Sequence, residues 1–465
     1  MDAVYVVVGG GIAGISCVET LVFFDSQGRI ILISESGLIK TVTNLQAITK
    51  NILNFDVEEK PGSFLSERFQ NVSIVYDSLY EINDEECFVK TKSGKIIHYQ
   101  YLCLCMGAEP KLIHQWDKFP KQIIGIRDTD SVEYLIHKLK ESKKIMIVGN
   151  GGIASELVYK IRNTEIHWVI KEKHISATFV DPGASEFFQD SLKENEKGDT
   201  TVTVTKRMRY EEDHCQKSGA ALGPDWYKGL IIQGADKDAK PQLTIHYGSE
   251  ISSVNTSPHS ERSLEVTLNN GNKVTCDLIV SATGVRARTN FISKSELKRD
   301  EDYGILVNEN METNLSNIYA AGDICHANWS PAKHWFQMKL WTQARQMGCY
   351  AAKCMYGKHM DEEVLQDFCF EIFTHSTKLF GYKVILLGLF NGQKLGTDYE
   401  ILLRTTKATE YVKFVLENHK LQGAVLIGDT DLEETCENLI LNQIDLEPYG
   451  DDILNPNIDI EDYFD

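Results

Sequence analysis

The chain has 465 residues, with 48 Lys and Arg against 67 Asp and Glu, which gives a formal net charge of −19. At about 150 residues per domain this length predicts roughly three domains, and the 42% hydrophobic and 25% charged residues exclude a disordered or fibrous chain. The excess of acidic residues disfavours direct binding to nucleic acid. The first residues do not resemble a secretory leader, so we do not expect secretion. Every apolar run is much shorter than the about 18 residues of a membrane-spanning helix, so we do not expect a membrane span.

The chain begins with a strand, a glycine turn, a helix and a second strand. Residues 4–8 and 30–33 are apolar runs of strand length, and 15–24 have the periodicity of a helix. The turn contains three glycines in the pattern G-x-G-x-x-G, whose missing side chains permit a tight turn and let a pyrophosphate approach the backbone. An acid closes the second strand, where a ribose is typically bound. The predicted nucleotide-binding residues of this unit are Gly9, Gly11, Ile12, Ala13, Gly14 and Glu35.

A hairpin and a buried strand follow. Residues 88–91 and 96–101 alternate with period two, and 102–105 read as a strand that ends at a tight turn. Cys103 and Cys105 lie two apart on that strand and therefore point the same way, and we interpret them as packed core thiols. The eleven cysteines show no zinc-like spacing, so we expect a reducing compartment and no metal site.

The same plan restarts at residue 144. A strand at 144–148 precedes a second glycine turn of the form G-x-G-x-x-A, which a strand at 166–170 follows after a helical run. Alanine is tolerated at the last position because only a small side chain is needed there. Lys171 suits a 2′-phosphate while Glu172 suits a free ribose, so the second dinucleotide is NADH or NADPH. The predicted residues of this site are Gly149, Gly151, Gly152, Ile153 and Lys171.

The remaining segments complete a three-unit chain. Residues 190–238 are polar and aperiodic, which predicts an insertion with a mobile portion at 193–200, and residues 206–209 form a basic cluster that we interpret as a solvated loop. A helix is predicted at 339–355. From about residue 370 onward, four short alternating strands at 384–390, 400–404, 411–416 and 423–427 predict a small α+β domain. An acidic tail is predicted at 445–465.

The expected fold class is α/β, with two Rossmann-like dinucleotide-binding domains that carry β-meander inserts and a C-terminal α+β cap domain. The predicted bounds are 1–125 with 285–365 for the first domain, 126–284 for the second with its insertion at about 190–238, and 366–465 for the cap.

Over about residues 1–450 the chain resembles the flavin-dependent pyridine nucleotide-disulfide oxidoreductases. The family motifs are Cys105-Met106-Gly107-Ala108, Ala282-Thr283-Gly284-Val285 and Ile318-Tyr319-Ala320-Ala321-Gly322-Asp323. The resemblance implies FAD as the first cofactor, an aspartate on its ribityl chain and a helix N-terminus aimed at the flavin. The further cofactor-binding residues that it implies are Gly107, Arg127, Gly284, Gly322, Asp323, Trp341 and Thr342.

The chain departs from the family at its redox cysteines. In the family, the segment that matches residues 36–44 holds the redox cysteines, but here it contains no sulfur. The C-terminal histidine and glutamate pair that acts on those thiols in the family is also missing, although His375 lies in the expected region. Lys40 matches a basic residue that thiol-independent relatives place near the flavin, so it is our candidate catalytic residue; a solvated loop lysine is the alternative. Arg127 could equally form a surface ion pair.

The predicted function is an FAD-dependent oxidoreductase that takes hydride from NAD(P)H without a redox-active disulfide and reduces an unknown electron acceptor. The alternatives are a non-catalytic module that senses NAD(P)H and FAD and regulates a partner, and a disulfide reductase with an atypical cysteine. A closer resemblance within the family, in residues 149–159, 221–226, 340–347 and 455–465, implies a cytoplasmic and nuclear location and oxidative protection of the metal-dependent tRNA ligase.

Overall fold

A computed structural model describes residues 1–194, 222, 226–227, 230–235, 242–258 and 260–455. The predicted insertion at 190–238 and its mobile portion at 193–200 lie largely outside the described residues. The basic cluster at 206–209 lies wholly outside them, as does the acidic tail beyond residue 455. Within the described part of the chain, no helix is long and apolar enough to cross a membrane.

The elements of the first half, in chain order, are β1 (Asp2–Val8), α1 (Ile12–Phe24), β2 (Ile30–Ser34), β3 (Leu38–Ala47), β4 (Leu53–Pro61), α2 (Ser63–Arg68), β5 (Val72–Tyr76), β6 (Leu79–Asn83), β7 (Phe88–Thr91), β8 (Ile96–Leu104), β9 (Ala108–Pro110), β10 (Ile123–Gly125), α3 (Thr129–Leu139), β11 (Lys144–Val148), α4 (Gly152–Lys160), β12 (Glu165–Val169) and α5 (Pro182–Glu194).

Those of the second half are β13 (Gln242–His246), β14 (Ile251–Ser257), β15 (Ser260–Leu268), β16 (Lys273–Cys276), β17 (Leu278–Ser281), β18 (Val285–Ala287), β19 (Ile292–Ser293), β20 (Ile305–Val307), β21 (Ile318–Ala320), β22 (Cys325–Ala327), α6 (Trp341–Met360), β23 (Thr374–Leu379), β24 (Tyr382–Gly388), β25 (Glu400–Thr406), β26 (Glu410–Glu417), β27 (Lys420–Ile427) and α7 (Glu433–Asn442). Short 3-10 segments lie at Trp116–Lys118, Phe368–Phe370 and Glu447–Leu454.

The first unit is built on a sheet whose central strands β5, β2, β1, β8 and β21 are parallel. The hairpin β6–β7 pairs with the first half of β8. Helices α1 and α6 cross closely, since a side chain on Gly348 would come within 2.2 Å of the Ala13 carbonyl oxygen. This crossing fixes the start of α1 at the carboxyl end of β1, which is where ligands bind in open α/β sheets.

The second unit repeats the plan. Strands β10, β17, β11, β12 and β13 form a parallel sheet in that order, and β14, β15 and β16 form an antiparallel meander. The predicted fold class is confirmed by the pair of sheets and by the structural comparisons reported below. The domain bounds stay a prediction.

The third unit is an antiparallel sheet in the order β23, β24, β27, β26, β25, with α7 against one face. Its other face packs on the second unit, because Val384, Leu386 and Val425 share a hydrophobic cluster with residues of α3 and α4. The sequence pattern predicts four of these five strands but misses β23 and α7.

The segment that lacks the family's cysteines forms a two-stranded ribbon, β3–β4. The connection at its tip docks on the third unit, where Thr49 and Asn51 donate hydrogen bonds to the Glu437 carboxylate on α7. The distance from Asn51 Nδ2 to Glu437 Oε1 is 3.0 Å. The ribbon therefore connects the first unit to the third, next to a cavity that residues of both units line.

Candidate active site

A cavity of about 1190 Å³ lies between the first and second units. Both glycine turns open into it, and residues of β23 in the third unit also line it. The predicted site residues that line it are Gly9, Gly11, Ile12, Ala13, Glu35, Gly107, Arg127, Gly149, Gly151, Gly152, Ile153, Lys171, Gly284, Asp323 and Trp341. Gly14, Lys40, Gly322 and Thr342 lie around the cavity without lining it.

The first glycine turn is shaped by backbone contact. Gly9 has φ +121°, and a side chain there would come within 2.3 Å of the Cys105 carbonyl oxygen. Gly14 packs directly on this turn, because its Cβ would lie 1.9 Å from the Gly9 carbonyl oxygen. The N-cap of α1 is Gly11, which makes no side-chain capping bond, and the first turn carries no acid. Its free N–H groups and positive dipole end suit a pyrophosphate, so this turn fits the phosphates of FAD.

Glu35 directly follows β2 and lines the same half of the cavity. Its two carboxylate oxygens accept hydrogen bonds from Ser78 Oγ at 3.0 Å and from Arg288 Nη2 at 2.7 Å. Burial acts to raise the pKa of the Glu35 carboxyl, but the hydrogen bond and the charge of Arg288, together with Ser78, outweigh burial and lower this pKa. Glu35 is therefore held as a carboxylate that can accept bonds from ribose hydroxyls.

The second glycine turn reproduces the first. Gly149 has φ +122°, and its Cβ would lie 2.0 Å from the Ala282 carbonyl oxygen. The N-cap of α4 is Gly151, again without a side-chain capping bond or a nearby acid in the first turn. The nearest atom to a Cβ on Gly151 would be Thr178 Oγ1 at 4.0 Å, so this glycine faces open cavity. The turn fits the pyrophosphate of a second dinucleotide.

Two carboxylates and one ammonium line the cavity beyond the end of β12 in the second unit. Glu172 Oε2 accepts a hydrogen bond from Asn150 Nδ2 at 3.0 Å, and the ammonium of Lys171 lies 3.5 Å from Glu250 Oε1. All three charged side chains line the cavity. A carboxylate in a fixed position and a lysine already beside a second carboxylate favour a free ribose over a 2′-phosphate.

Arg127 lies at the cavity and also forms an ion pair. It lines the cavity, and its guanidinium also pairs with Asp128 at 2.8 Å. Asp128 in turn caps α3 by accepting a hydrogen bond from the Ser131 backbone N–H. The ion pair therefore orients Arg127 at the cavity wall.

The centre of the cavity is aromatic and largely apolar. Trp341 at the start of α6 lies 5.5 Å from the ring of His375, which stacks with Phe179 at 6.2 Å. Asp323 lies nearby in the first unit, and burial raises the pKa of its carboxyl, with the charge of Lys339 opposing that rise. Thr342 contacts His375 Nδ1 through its hydroxyl oxygen at 3.1 Å. Trp341, His375 and Phe179 thus form an aromatic part of the wall of the cavity into which both glycine turns open.

His375 gives a pH prediction, because burial lowers its pKa from 6.5 to about 3. As pH decreases below about 6.5, the unfolded chain takes up a proton on this histidine that the folded protein excludes. The free energy of unfolding therefore decreases by about 1.4 kcal/mol for each unit by which the pH is lowered between about pH 5.5 and 4. We expect His375→Asn, which can keep the contact to Thr342, to remove this dependence. Denaturant midpoints against pH measure it, and His359→Asn on the exposed end of α6 is the control that should keep the wild-type slope.

Cys103 and Cys105 are both buried, and their sulfur atoms lie 3.5 Å apart. The contact with Cys103 and burial raise the pKa of the Cys105 thiol well above its ordinary value. Among the described residues that line the cavity, Cys105 is the single cysteine, and it lies beneath the Gly9 turn. This placement agrees with packed core thiols.

Lys40 is not the solvated loop lysine of the alternative interpretation. It lies on β3 with its side chain 4% exposed, and its ammonium is 2.7 Å from Glu59 Oε1 on β4. It does not line the cavity, so its catalytic role stays a prediction.

Sequence reasoning missed several residues of the cavity wall. Arg288, Phe179 and Glu156 all line it, and Glu156 accepts a hydrogen bond from the indole N–H of Trp226. Arg288 is 253 positions from its partner Glu35, and Phe179 lies in an irregular loop, so neither belongs to a local motif. Glu156 could have been found as the acid two residues after the end of the second glycine pattern.

The sequence pattern of the pyridine nucleotide-disulphide oxidoreductases matches residues 3–217 and 235–348, and that of the rubredoxin NAD⁺ reductase C-terminal domain matches 375–444. The chain is 52% identical to pyridine nucleotide-disulfide oxidoreductase domain-containing protein 1 of Drosophila melanogaster over 470 residues, which cover 99% of each chain. It is 44% identical to the Homo sapiens protein of that name over 494 residues, with 99% of this chain and 98% of the human chain covered.

Solved structures share the fold at low sequence identity. The covalent putidaredoxin reductase–putidaredoxin complex matches with a TM-score of 0.70 at 15% identity, covering 99% of this chain and 98% of that chain. The NADH:rubredoxin oxidoreductase of Clostridium acetobutylicum matches with a TM-score of 0.62 at 18% identity, covering 98% of this chain and 100% of that chain.

Proposed function

Because the chain belongs to the pyridine nucleotide-disulfide oxidoreductase family, with FAD and NAD(P)H as its cofactors, we propose that it reduces an electron acceptor directly from the flavin, without a redox-active disulfide. One observation carries this proposal: both pyrophosphate cradles open into one cavity, and among its described lining residues the single cysteine lies beneath a cradle.

Some of the lining residues would bind the cofactors, and others would exclude water from them. The turns at Gly9 and Gly149 would hold the two pyrophosphates, Glu35 the adenosine ribose of FAD, and Asp323 a hydroxyl of its sugar chain. Trp341, Phe179 and His375 line the cavity, and their rings would exclude water from the bound cofactors. Bound FAD supplies hydride acceptance from NAD(P)H and electron release to an acceptor; the protein supplies position and electrostatics.

Anaerobic mixing of the yellow holoprotein with NADH and with NADPH tests the proposal. We expect the oxidised flavin band to bleach within seconds for at least one coenzyme. A flavin that stays oxidised while the coenzyme demonstrably binds would contradict the proposal and favour the sensing module.

Cysteine replacement separates the proposal from a disulfide reductase. We expect Cys103→Ser with Cys105→Ser to retain flavin reduction and acceptor turnover within about twofold of the wild type, because these buried thiols pack a core and take no electrons. Turnover with a quinone or a ferricyanide acceptor measures this. Cys436→Ser in the third unit is a matched control for replacing a buried thiol. Loss of turnover with normal flavin reduction would assign the cysteine pair a redox role.

The charges at the outer end of the second half predict a preference for NADH. A 2′-phosphate there would meet Glu172 and Glu250, with Lys171 beside Glu250. We expect Glu172→Gln to lower the ratio of kcat/KM for NADH over NADPH by about fivefold, the effect of one charge at close range in water. The exposed Glu363→Gln should leave the ratio unchanged. A wild-type preference for NADPH would contradict this assignment.

Two further parts of the proposal rest on resemblance alone. The solved structures of similar fold include a reductase in covalent complex with putidaredoxin and an NADH:rubredoxin oxidoreductase, and we propose that a carrier protein can be the electron acceptor here. We also propose oxidative protection of the metal-dependent tRNA ligase, in the cytoplasm and nucleus. Co-purification of the ligase with the tagged chain from each fraction tests both the association and the location.

A further inference from the structure

Trp226 belongs to a stretch that the family's sequence pattern does not match. The pattern matches up to residue 217 and again from 235, so residues 218–234 fall outside it. Two described side chains of that stretch, Leu222 and Trp226, nevertheless line the cavity. These two residues therefore contribute to the cavity wall on the side of the second unit.

The described parts of this stretch are seated on the second unit at several points. The Leu222 backbone N–H donates to the Arg127 carbonyl oxygen at 3.2 Å, and the Arg162 N–H donates to the Ile232 carbonyl oxygen at 3.1 Å. The ammonium of Lys160 at the end of α4 lies 5.0 Å from the ring centre of Tyr227. These contacts fix the position of Trp226 against α4.

Trp226 makes its polar contact with Glu156. The indole Nε1–H donates to Glu156 Oε2 at 2.6 Å, a short bond of the kind that a charged acceptor gives. Glu156 lies three residues after Ile153 on α4, and the two side chains share the face that lines the cavity. Trp226 itself is only 7% exposed, and its ring belongs to the hydrophobic cluster of this unit.

We propose that Trp226 is a positioning residue for the coenzyme at the second glycine turn. It holds the Glu156 carboxylate in one orientation beside that turn, and its ring excludes water from that side. A carboxylate has about four lone-pair sites, so a Glu156 that is oriented by the indole can also accept a hydrogen bond from a donor of the bound coenzyme. This inference rests on the proposed function, because it assigns a role in binding the proposed coenzyme.

The test compares Trp226→Phe, Glu156→Gln and the double variant as FAD-loaded proteins. NAD⁺ affinity is measured by calorimetry on the oxidised protein, and flavin reduction by NADH is measured in stopped flow. We expect Trp226→Phe to weaken NAD⁺ binding and slow reduction by about tenfold, the effect of one hydrogen bond to a charged group. FAD content and melting temperature should match the wild type. Trp116→Phe, at an exposed tryptophan that does not line the cavity, is the control.

The double variant separates positioning from simple packing. If Trp226 acts through Glu156, the double variant will bind NAD⁺ no more weakly than Glu156→Gln alone. Wild-type affinity in Trp226→Phe, or losses that multiply in the double variant, would overturn the inference. A wild-type flavin that NADH does not reduce would overturn the proposed function instead, and the NAD⁺ affinities would still decide the role of Trp226.

Discussion

Substituting Gly9 by Ala should yield a chain that folds but holds little or no FAD. A Cβ on Gly9 would lie 2.3 Å from the Cys105 carbonyl oxygen and 3.1 Å from the Met106 nitrogen. Both atoms belong to backbone and cannot turn aside as a side chain would. The φ of +121° adds about 1–3 kcal/mol of strain for a residue with a side chain. The turn must move, and its N–H groups then no longer converge on one pyrophosphate.

The measurement is the ratio of flavin absorbance to protein absorbance after purification in excess FAD, together with the melting temperature of the FAD-free form. We expect FAD retention to fall by about tenfold to hundredfold, the range that this strain alone implies. Gly396→Ala is the control, because its Cβ would meet no atom within 4 Å. Stoichiometric FAD in Gly9→Ala would contradict our placement of the flavin pyrophosphate.

The glycine turns could be predicted from the sequence because every part of their function is local. A strand, three small residues and a helix lie within one short stretch, and their order decides where the phosphate sits. The structure accordingly places Gly9, Gly149 and their helices where the pattern predicts, and Gly14 and Gly322 serve as close packing points instead of cavity lining.

Contacts between distant segments could not be predicted in this way. Glu35 was expected to face a ribose, but nothing near it in sequence indicates that Arg288 and Ser78 hold it. Lys40 was expected to lie near the flavin or, alternatively, in a solvated loop, and neither expectation indicates the ribbon strand on which it is buried and pairs with Glu59. Both pairings depend on which segments the fold brings together.

The third unit shows a related limit. Strands β24, β26 and β27 are buried runs that the apolar pattern marks well, whereas β23 has the mixed sequence THSTKL, in which only tertiary contact decides the conformation. His375 on this strand reaches the cavity centre because β23 pairs with β24 and the sheet packs on the second unit. Its role in the wall follows from that packing and not from any motif.

Substituting Gly149 by Ala should give the opposite phenotype to Gly9→Ala: a yellow protein that NADH no longer reduces. The two glycines have matching conformations, with φ +122° at Gly149 and its Cβ 2.0 Å from the Ala282 carbonyl oxygen. The displaced turn, however, belongs to the second unit and leaves the first cradle untouched. Each variant thus controls for the other, since the same chemical change is made in equivalent turns.

We expect Gly149→Ala to retain FAD at the wild-type ratio and to show a rate of flavin reduction by NADH at least about a hundredfold lower, because strain and the clash both act on the coenzyme pyrophosphate. Photoreduction of the bound flavin should remain normal, which shows that the flavin itself is competent. Gly151→Ala refines the test: its Cβ would point into open cavity, so the melting temperature should be unchanged while NAD⁺ binding weakens. If Gly149→Ala instead lost FAD and kept rapid reduction of the residual flavin, the assignment of the two cradles would have to be exchanged.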